Sequence, residues 1–148
     1  MLFAFLSLDG VLNSYGYFKG RPEASGNAIG PKAFDPEAIR RVNVLADAGV
    51  KFVLTSAWRG TAGLYDGIAK AGFVGRWAGE TPRMSSLRGL EIIEYLRTHP
   101  KVKSYVILDD DMDMFHLSYR HVRTNYFRGG FLDEHLEQAL KILGIRVR

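Results

Sequence analysis

Three short apolar runs constrain the fold of this chain more than any other feature. Leu2–Leu8, Val50–Thr55 and Ser104–Leu108 are dominated by Phe, Leu, Val and Ile, with little of the polar alternation of a half-exposed strand. Runs of this length and make-up suit strands buried on both faces, as in a parallel sheet. Parallel neighbours need crossover connections, and the intervening segments carry helix signals.

Asp35-Pro36-Glu37 opens the clearest of these helices: Asp caps, Pro suits the first helical position and Glu favours the positive end. Ile39, Val42, Leu45 and Ala46 make its buried stripe and Gly49 stops it. Thr61–Ala71 is a second helix, ended by Gly72, and Phe73–Ala78 a short third strand. Ser86–Thr98 is expected to be helical, with Leu90, Ile93, Leu96 and part of Ile92 on one side and Pro100 beyond it. His121–Asn125 reads as an edge strand. Asp133 then caps a last helix, with Leu136, Leu140 and Leu143 on one face and Gly144 at its end. Strands alternating with helices imply right-handed crossovers and an α/β fold, a three-layer Rossmann-like sandwich around a mainly parallel sheet. A chain of 148 residues fits one such domain. Residues 13–34 carry Gly16, Gly20, Gly26, Gly30, Pro22 and Pro31 and read as a long loop, a minimal cap at most.

Composition excludes several classes. Cysteine is absent, which removes disulfide and thiol chemistry. The opening MLFAFLSLDG is too short and too soon acidic for a membrane-spanning helix, and it lacks the basic start and cleavage site of a signal peptide. A cytoplasmic, non-membrane protein is the expectation. The net charge of +4 is compatible with a polyanionic partner or with solvated basic faces.

In parallel α/β sheets, ligands sit beyond the carboxyl ends of the strands. Three of those ends are unusually polar: Ser7-Leu8-Asp9-Gly10-Val11-Leu12-Asn13, Thr55-Ser56-Ala57-Trp58-Arg59, and Asp109-Asp110-Asp111-Met112-Asp113. Each has an ordinary reading, as a turn, a helix cap or a solvated acidic loop. A calcium loop starting at Asp109 fails, because its sixth position is Met114 and its twelfth Arg120. Three such ends in succession are hard to explain as separate accidents.

The arrangement resembles the haloacid dehalogenase superfamily of phosphohydrolases. The first motif of that superfamily, Asp-x-Asp-Gly-[Thr/Val]-Leu, is matched from position 7 except at its first residue. The second, a Ser or Thr after an apolar strand, is matched by Thr55 with Ser56 beside it. The third, a Lys or Arg near the start of the helix preceding the fourth motif, is matched by Arg88. The fourth, an acidic pair at a strand end, is matched by Asp109-Asp110. The phrases Asp-Gly-Val-Leu-Asn, Thr-Ser-Ala-Trp-Arg and Ile-Leu-Asp-Asp-Asp look particularly like the small domains associated with RNA-repair proteins.

This resemblance implies a magnesium-dependent phosphomonoester hydrolase that takes nucleotides or nucleic-acid ends. Position 7 would hold the nucleophile, and Asp9 would protonate the leaving oxygen and later activate water. Thr55, Ser56, Arg59 and Arg88 would hold phosphoryl oxygens. Asp110 and the Asp9 carbonyl would reach magnesium, with Asp109 or Asp113 ordering its waters.

Position 7, however, is serine. Its neutral hydroxyl is no substitute for an attacking carboxylate, and no His is near it in sequence. An inactivating replacement, a natural pseudoenzyme and a variant chemistry all remain open, as does a catalytically dead phosphate- or nucleic-acid-binding module. His99, His116, His121 and His135 have no zinc spacing and are expected at the surface or in packing. Trp58 and Trp77 are expected in core or rim packing rather than stacked on bases. Tyr15, Tyr17 and Phe18 fall where this superfamily often inserts a cap; the insert here is too short for a large lid.

Overall fold

The computed structural model describes residues 1–21, 30–84 and 87–146. Five strands form one sheet: β1 (Leu2–Leu6), β2 (Lys51–Leu54), β3 (Arg76–Glu80), β4 (Ser104–Asp109) and β5 (His121–Arg123). Their order is β3-β2-β1-β4-β5, and every neighbouring pair is parallel. The helices are α1 (Tyr15–Lys19), α2 (Pro36–Asp47), α3 (Leu64–Lys70), α4 (Arg88–Thr98) and α5 (Asp133–Leu143). This is the expected α/β architecture. Among the described residues, no helix is long and apolar enough to cross a membrane.

Side-chain alternation along β1 divides the core in two. Ala4, Leu6 and Leu8 face a layer containing Ile39, Val42 and Leu45 of α2, Leu64 and Ile68 of α3, and Ala139 and Leu143 of α5. Phe3 and Phe5 face the opposite layer, where Ile92 and Tyr95 of α4 pack with Met114 and Leu117. Both layers exclude water, so β1 must be apolar on both sides, as its sequence is. The winding direction changes between β1 and β4, which opens the crevice of a doubly wound sheet.

Several boundaries differ from the sequence reading. α2 starts where expected: Asp35 Oδ1 accepts from Glu37 N at 3.0 Å. α3 begins at Leu64 rather than Thr61, because Gly63 at φ +79° precedes it and Thr61 N is held in a turn by Trp58 O. β3 runs over 76–80, not 73–78. Phe73 instead turns inward, its ring 5.0 Å from Phe52 and 5.2 Å from Trp77. α4 turns Glu91, Ile92 and Tyr95 inward, whereas Leu90 is exposed and Ile93 and Leu96 are only half-buried. The edge-on packing of Tyr95 against Phe5 sets that rotation.

α5 begins at Asp133, so Asp133 is not its cap. Leu132 N donates to His135 Nδ1 at 2.9 Å, and Asp133 pairs with Arg41 at 2.8 Å. The expected loop at 13–34 contains α1, which Ser14 caps by accepting from Tyr17 N, and a 3-10 turn at Pro31–Ala33. Pro22 and Gly26 of that loop, and the expected helix start at Ser86, lie outside the described residues.

Candidate active site

Period-two geometry builds this site. In the parallel register, Phe5 stands beside Val53 on one flank and Ile107 on the other. Two residues further along, the same face carries Ser7, Thr55 and Asp109. The ladder continues past the strand ends to fix them: Thr55 N donates to Leu6 O at 3.0 Å and Ser7 N to Leu108 O at 3.1 Å. All three are buried, at 3%, 0% and 0% exposure respectively, on the α4 side of the sheet.

Arg88, the first residue of α4, reaches this row. Its Nη1 donates to Ser7 Oγ at 2.8 Å and to Asp109 Oδ2 at 2.6 Å. The other oxygen of Asp109 accepts from Asp111 N at 3.0 Å, so this fully buried carboxylate has a charged partner and a backbone donor. An ionised carboxylate is tolerated there only with such partners. Among the described residues, Thr55 Oγ1 is buried without a hydrogen-bond partner. An unmatched buried hydroxyl costs roughly 1–3 kcal/mol, which an added acceptor would recover.

Asp9 lies past the turn and is exposed, with both carboxylate oxygens held. Asn13 Nδ2 donates to Oδ1 at 3.0 Å, and Trp58 Nε1 to Oδ2 at 2.8 Å. Asn13 Oδ1 in turn accepts from Gly10 N at 3.1 Å. Gly10 itself sits at φ +81°, and a Cβ on it would lie 2.2 Å from Asp110 Oδ2. Only glycine fits a left-handed turn on which a carboxylate leans so closely. Burial pushes the Asp110 carboxyl up to about 6, helped by the charge of Asp109 and a hydrogen bond between the two carboxyls.

The residues expected to bind phosphate therefore separate. Thr55 and Arg88 converge with Ser7 and Asp109. Ser56 is buried, and its Oγ accepts from Trp58 N at 3.0 Å, shaping the turn that carries Trp58.

Arg59 does not join them. Its Nε donates to Ser56 O, its Nη1 to Thr81 O and Oγ1, and its Nη2 to Glu91 Oε1 at 2.9 Å. Both partners of that ion pair are buried, so Arg59 ties β2's exit loop to α4. In this structure the fork expected to contact phosphate is occupied by the Ser56 and Thr81 carbonyls, Thr81 Oγ1 and Glu91.

The acidic residues also divide. Asp110 leans on Gly10, Asp109 is taken up by Arg88, and Asp113 is exposed. Among the described residues, no group of three or more His, Cys, Asp or Glu side chains is arranged to hold a metal. Oxygen donors suit magnesium, and a carboxyl whose ionisation is opposed by burial and a neighbouring carboxylate suits a cation. The residues thus fit magnesium in kind and are one carboxylate short at position 7.

Two contributors were missed by sequence reasoning, the clamps Asn13 and Trp58 on Asp9. Both lie inside the short phrases quoted above, but spacing does not reveal a side chain's partner. The histidines are scattered as expected: His135 meets Leu132 N, His121 Nε2 meets Asp109 O, and His99 stacks on Tyr95.

The family model described as "HAD domain in Swiss Army Knife RNA repair proteins" matches residues 3–136, a span that includes every residue of this site. No curated protein and no solved structure matches the chain.

Proposed function

This chain belongs to the family of HAD domains in Swiss Army Knife RNA repair proteins, and from that premise we propose that its site is that of a magnesium-dependent phosphomonoester hydrolase acting on nucleic-acid-end or nucleotide phosphates. The observation that carries the reading is the buried row Thr55–Ser7–Asp109, with Arg88 directed onto Ser7 and Asp109.

Each residue then has a role set by its surroundings. Arg88 keeps guanidinium donors beyond those used on Ser7 and Asp109, and these hold a phosphoryl oxygen. Thr55 Oγ1 supplies the next donor, and the phosphoryl oxygen relieves its unmet hydrogen bond. Asp9 protonates the leaving oxygen and later takes a proton from water. Asn13 and Trp58 donate to its two oxygens, so the carboxylate meets the substrate in one orientation. Asp110 and the backbone carbonyl of Asp9 would hold magnesium, which offsets the charge accumulated between carboxylates and phosphate.

Position 7 decides whether turnover follows. The partner of Ser7 Oγ is the guanidinium of Arg88, a donor that does not remove the hydroxyl proton. That observation favours the second reading, a module that binds a phosphate or nucleic-acid end without cleaving it.

The two readings divide on Ser7→Asp, assayed with an aryl phosphate and a panel of phosphorylated nucleotides and oligonucleotide ends. A carboxylate at position 7 restores the covalent step, and the gain should span several orders of magnitude, on the scale of nucleophile deletions in other hydrolases. It should vanish again in Ser7→Asp combined with Asp9→Asn. A folded, magnesium-binding Ser7→Asp protein that hydrolyses nothing leaves the binding module. Rapid turnover by the unmodified chain, abolished in Ser7→Ala, makes serine itself the nucleophile.

A further inference from the structure

We propose that Tyr15 and Phe127 form a stacking platform for the bases of a single-stranded nucleic acid whose terminal phosphate enters the site. The phosphohydrolase reading is needed only for the direction in which the strand lies.

The two rings come from opposite ends of the chain. Tyr15 opens α1, and Phe127 sits in a 3-10 turn at Tyr126–Arg128. They meet with centroids 6.1 Å apart and remain 48% and 75% exposed. The core does not require a large ring left this open, and the pair, tilted 44° to one another, offers two apolar ring faces to the surroundings.

Both elements are fastened to the loop that carries Asp9. The cap of α1, Ser14, directly follows Asn13, the residue bonded to Asp9. On the other side, Asn125 accepts from Phe127 N through its side chain and from Gly130 N through its carbonyl. Phe131 N then donates to Val11 O at 3.0 Å. A Cβ on Gly130 would stand 2.8 Å from Val11 O, so the approach requires glycine there. The platform and the general acid thus share one anchored loop.

Charge identifies the occupant. No Asp or Glu occurs between Gly10 and Arg21, or between Met114 and Leu132. These stretches supply Lys19, Arg21, Arg123 and Arg128, all exposed. Aromatic faces interleaved with cations of one sign match stacked bases joined by phosphodiesters. Asp35 and Glu37 line the adjoining hollow together with Arg21 and Arg41, so the excess positive charge of this rim comes from Lys19, Arg123 and Arg128.

The test measures fluorescence anisotropy of a labelled oligouridylate ending in a 3′-phosphate, with inorganic phosphate binding measured alongside. Phe127→Ala and Tyr15→Ala should each weaken oligonucleotide binding roughly ten-fold, the scale of losing one base stack, and leave phosphate binding unchanged. Phe127→Tyr should bind like the parent chain, whereas Phe127→Leu, apolar but not flat, should bind like Phe127→Ala. Arg128→Ala should flatten the salt dependence.

No oligonucleotide binding by the parent chain, or parent-like affinity in Phe127→Ala, overturns the proposal. Equal affinity in Phe127→Leu and Phe127→Tyr also overturns it, pointing to an apolar protein-docking face. The two readings fail separately. Should Ser7→Asp hydrolyse nothing while Phe127→Ala loses the oligonucleotide, the platform stands and the hydrolase falls. An active Ser7→Asp enzyme that binds the oligonucleotide equally well without the Phe127 ring keeps the hydrolase and removes the platform.

Discussion

Replacing Arg59 with methionine tests whether this side chain builds the site or touches its ligand. Methionine keeps much of the apolar length and removes every donor. Ser56 O, Thr81 O and Thr81 Oγ1 each lose a hydrogen bond, and Glu91, 2% exposed, loses its cation. Among the described residues, Met84 N, at 3.1 Å from Oε2, remains as a donor to Glu91. Breaking a buried ion pair by removing one partner costs about 3–5 kcal/mol, most of it from the stranded charge. That is a large share of the roughly 5–15 kcal/mol that holds a domain together. At roughly 2–4 °C per kcal/mol for a domain of this size, the melting temperature should fall by about 6–20 °C. Adding Glu91→Leu removes the stranded carboxylate and should return most of the loss, since an apolar pair often replaces a buried ion pair without penalty. The assay is paired thermal and urea unfolding, with tungstate binding by calorimetry on the folded protein. If Arg59→Met unfolds at the parent midpoint and loses tungstate affinity, Arg59 is a phosphate ligand and its structural role is refuted.

Four further outcomes follow from the site. The Asp110 carboxyl titrates near 6 when folded and near its ordinary 3.8 when unfolded, so the native state holds more protons between those values. Stability without metal should therefore decline as pH rises from about 4 to about 6, and Asp110→Asn should abolish that decline in urea titrations at stepped pH. Magnesium affinity should fall as pH drops through about 6, since the cation competes with that proton; calorimetry that finds it flat from pH 5 to 8 removes Asp110 as a ligand. Gly10→Ala combines a φ of +81° with a 2.2 Å clash on Asp110; it should cost about 1–3 kcal/mol in urea unfolding and weaken magnesium binding. Trp58→Phe frees Asp9 Oδ2 while keeping a ring; in a Ser7→Asp background it should lower kcat and leave KM and the melting temperature nearly unchanged.

Most of the architecture was legible in the chain because it depends on local rules. The apolar runs at Leu2–Leu8 and Ser104–Leu108 called for burial on both faces, which a covered parallel sheet provides. Asp35-Pro36-Glu37 starts a helix through contacts within one turn, and the structure keeps it there. The motif order placed Ser7, Thr55 and Asp109 at three strand ends, and alternation along a strand puts them on one face once the register is known.

That register is where local information ended. The rotation of α4 follows from Tyr95 finding the edge of Phe5, far away in sequence, so of the expected stripe Ile92 is fully buried, Ile93 and Leu96 only rim the core and Leu90 is exposed. Arg59 read as a phosphate ligand because it follows Thr55-Ser56, yet Glu91 and Thr81 claimed its donors from elsewhere in the chain. The clamp of Trp58 on Asp9 and the contact of Asp110 with Gly10 likewise join strand ends that only sheet pairing brings together. Residue type and spacing determined which groups were present; the partner of each charge was decided by packing, because a buried donor or carboxylate must find its counterpart wherever the fold has left one.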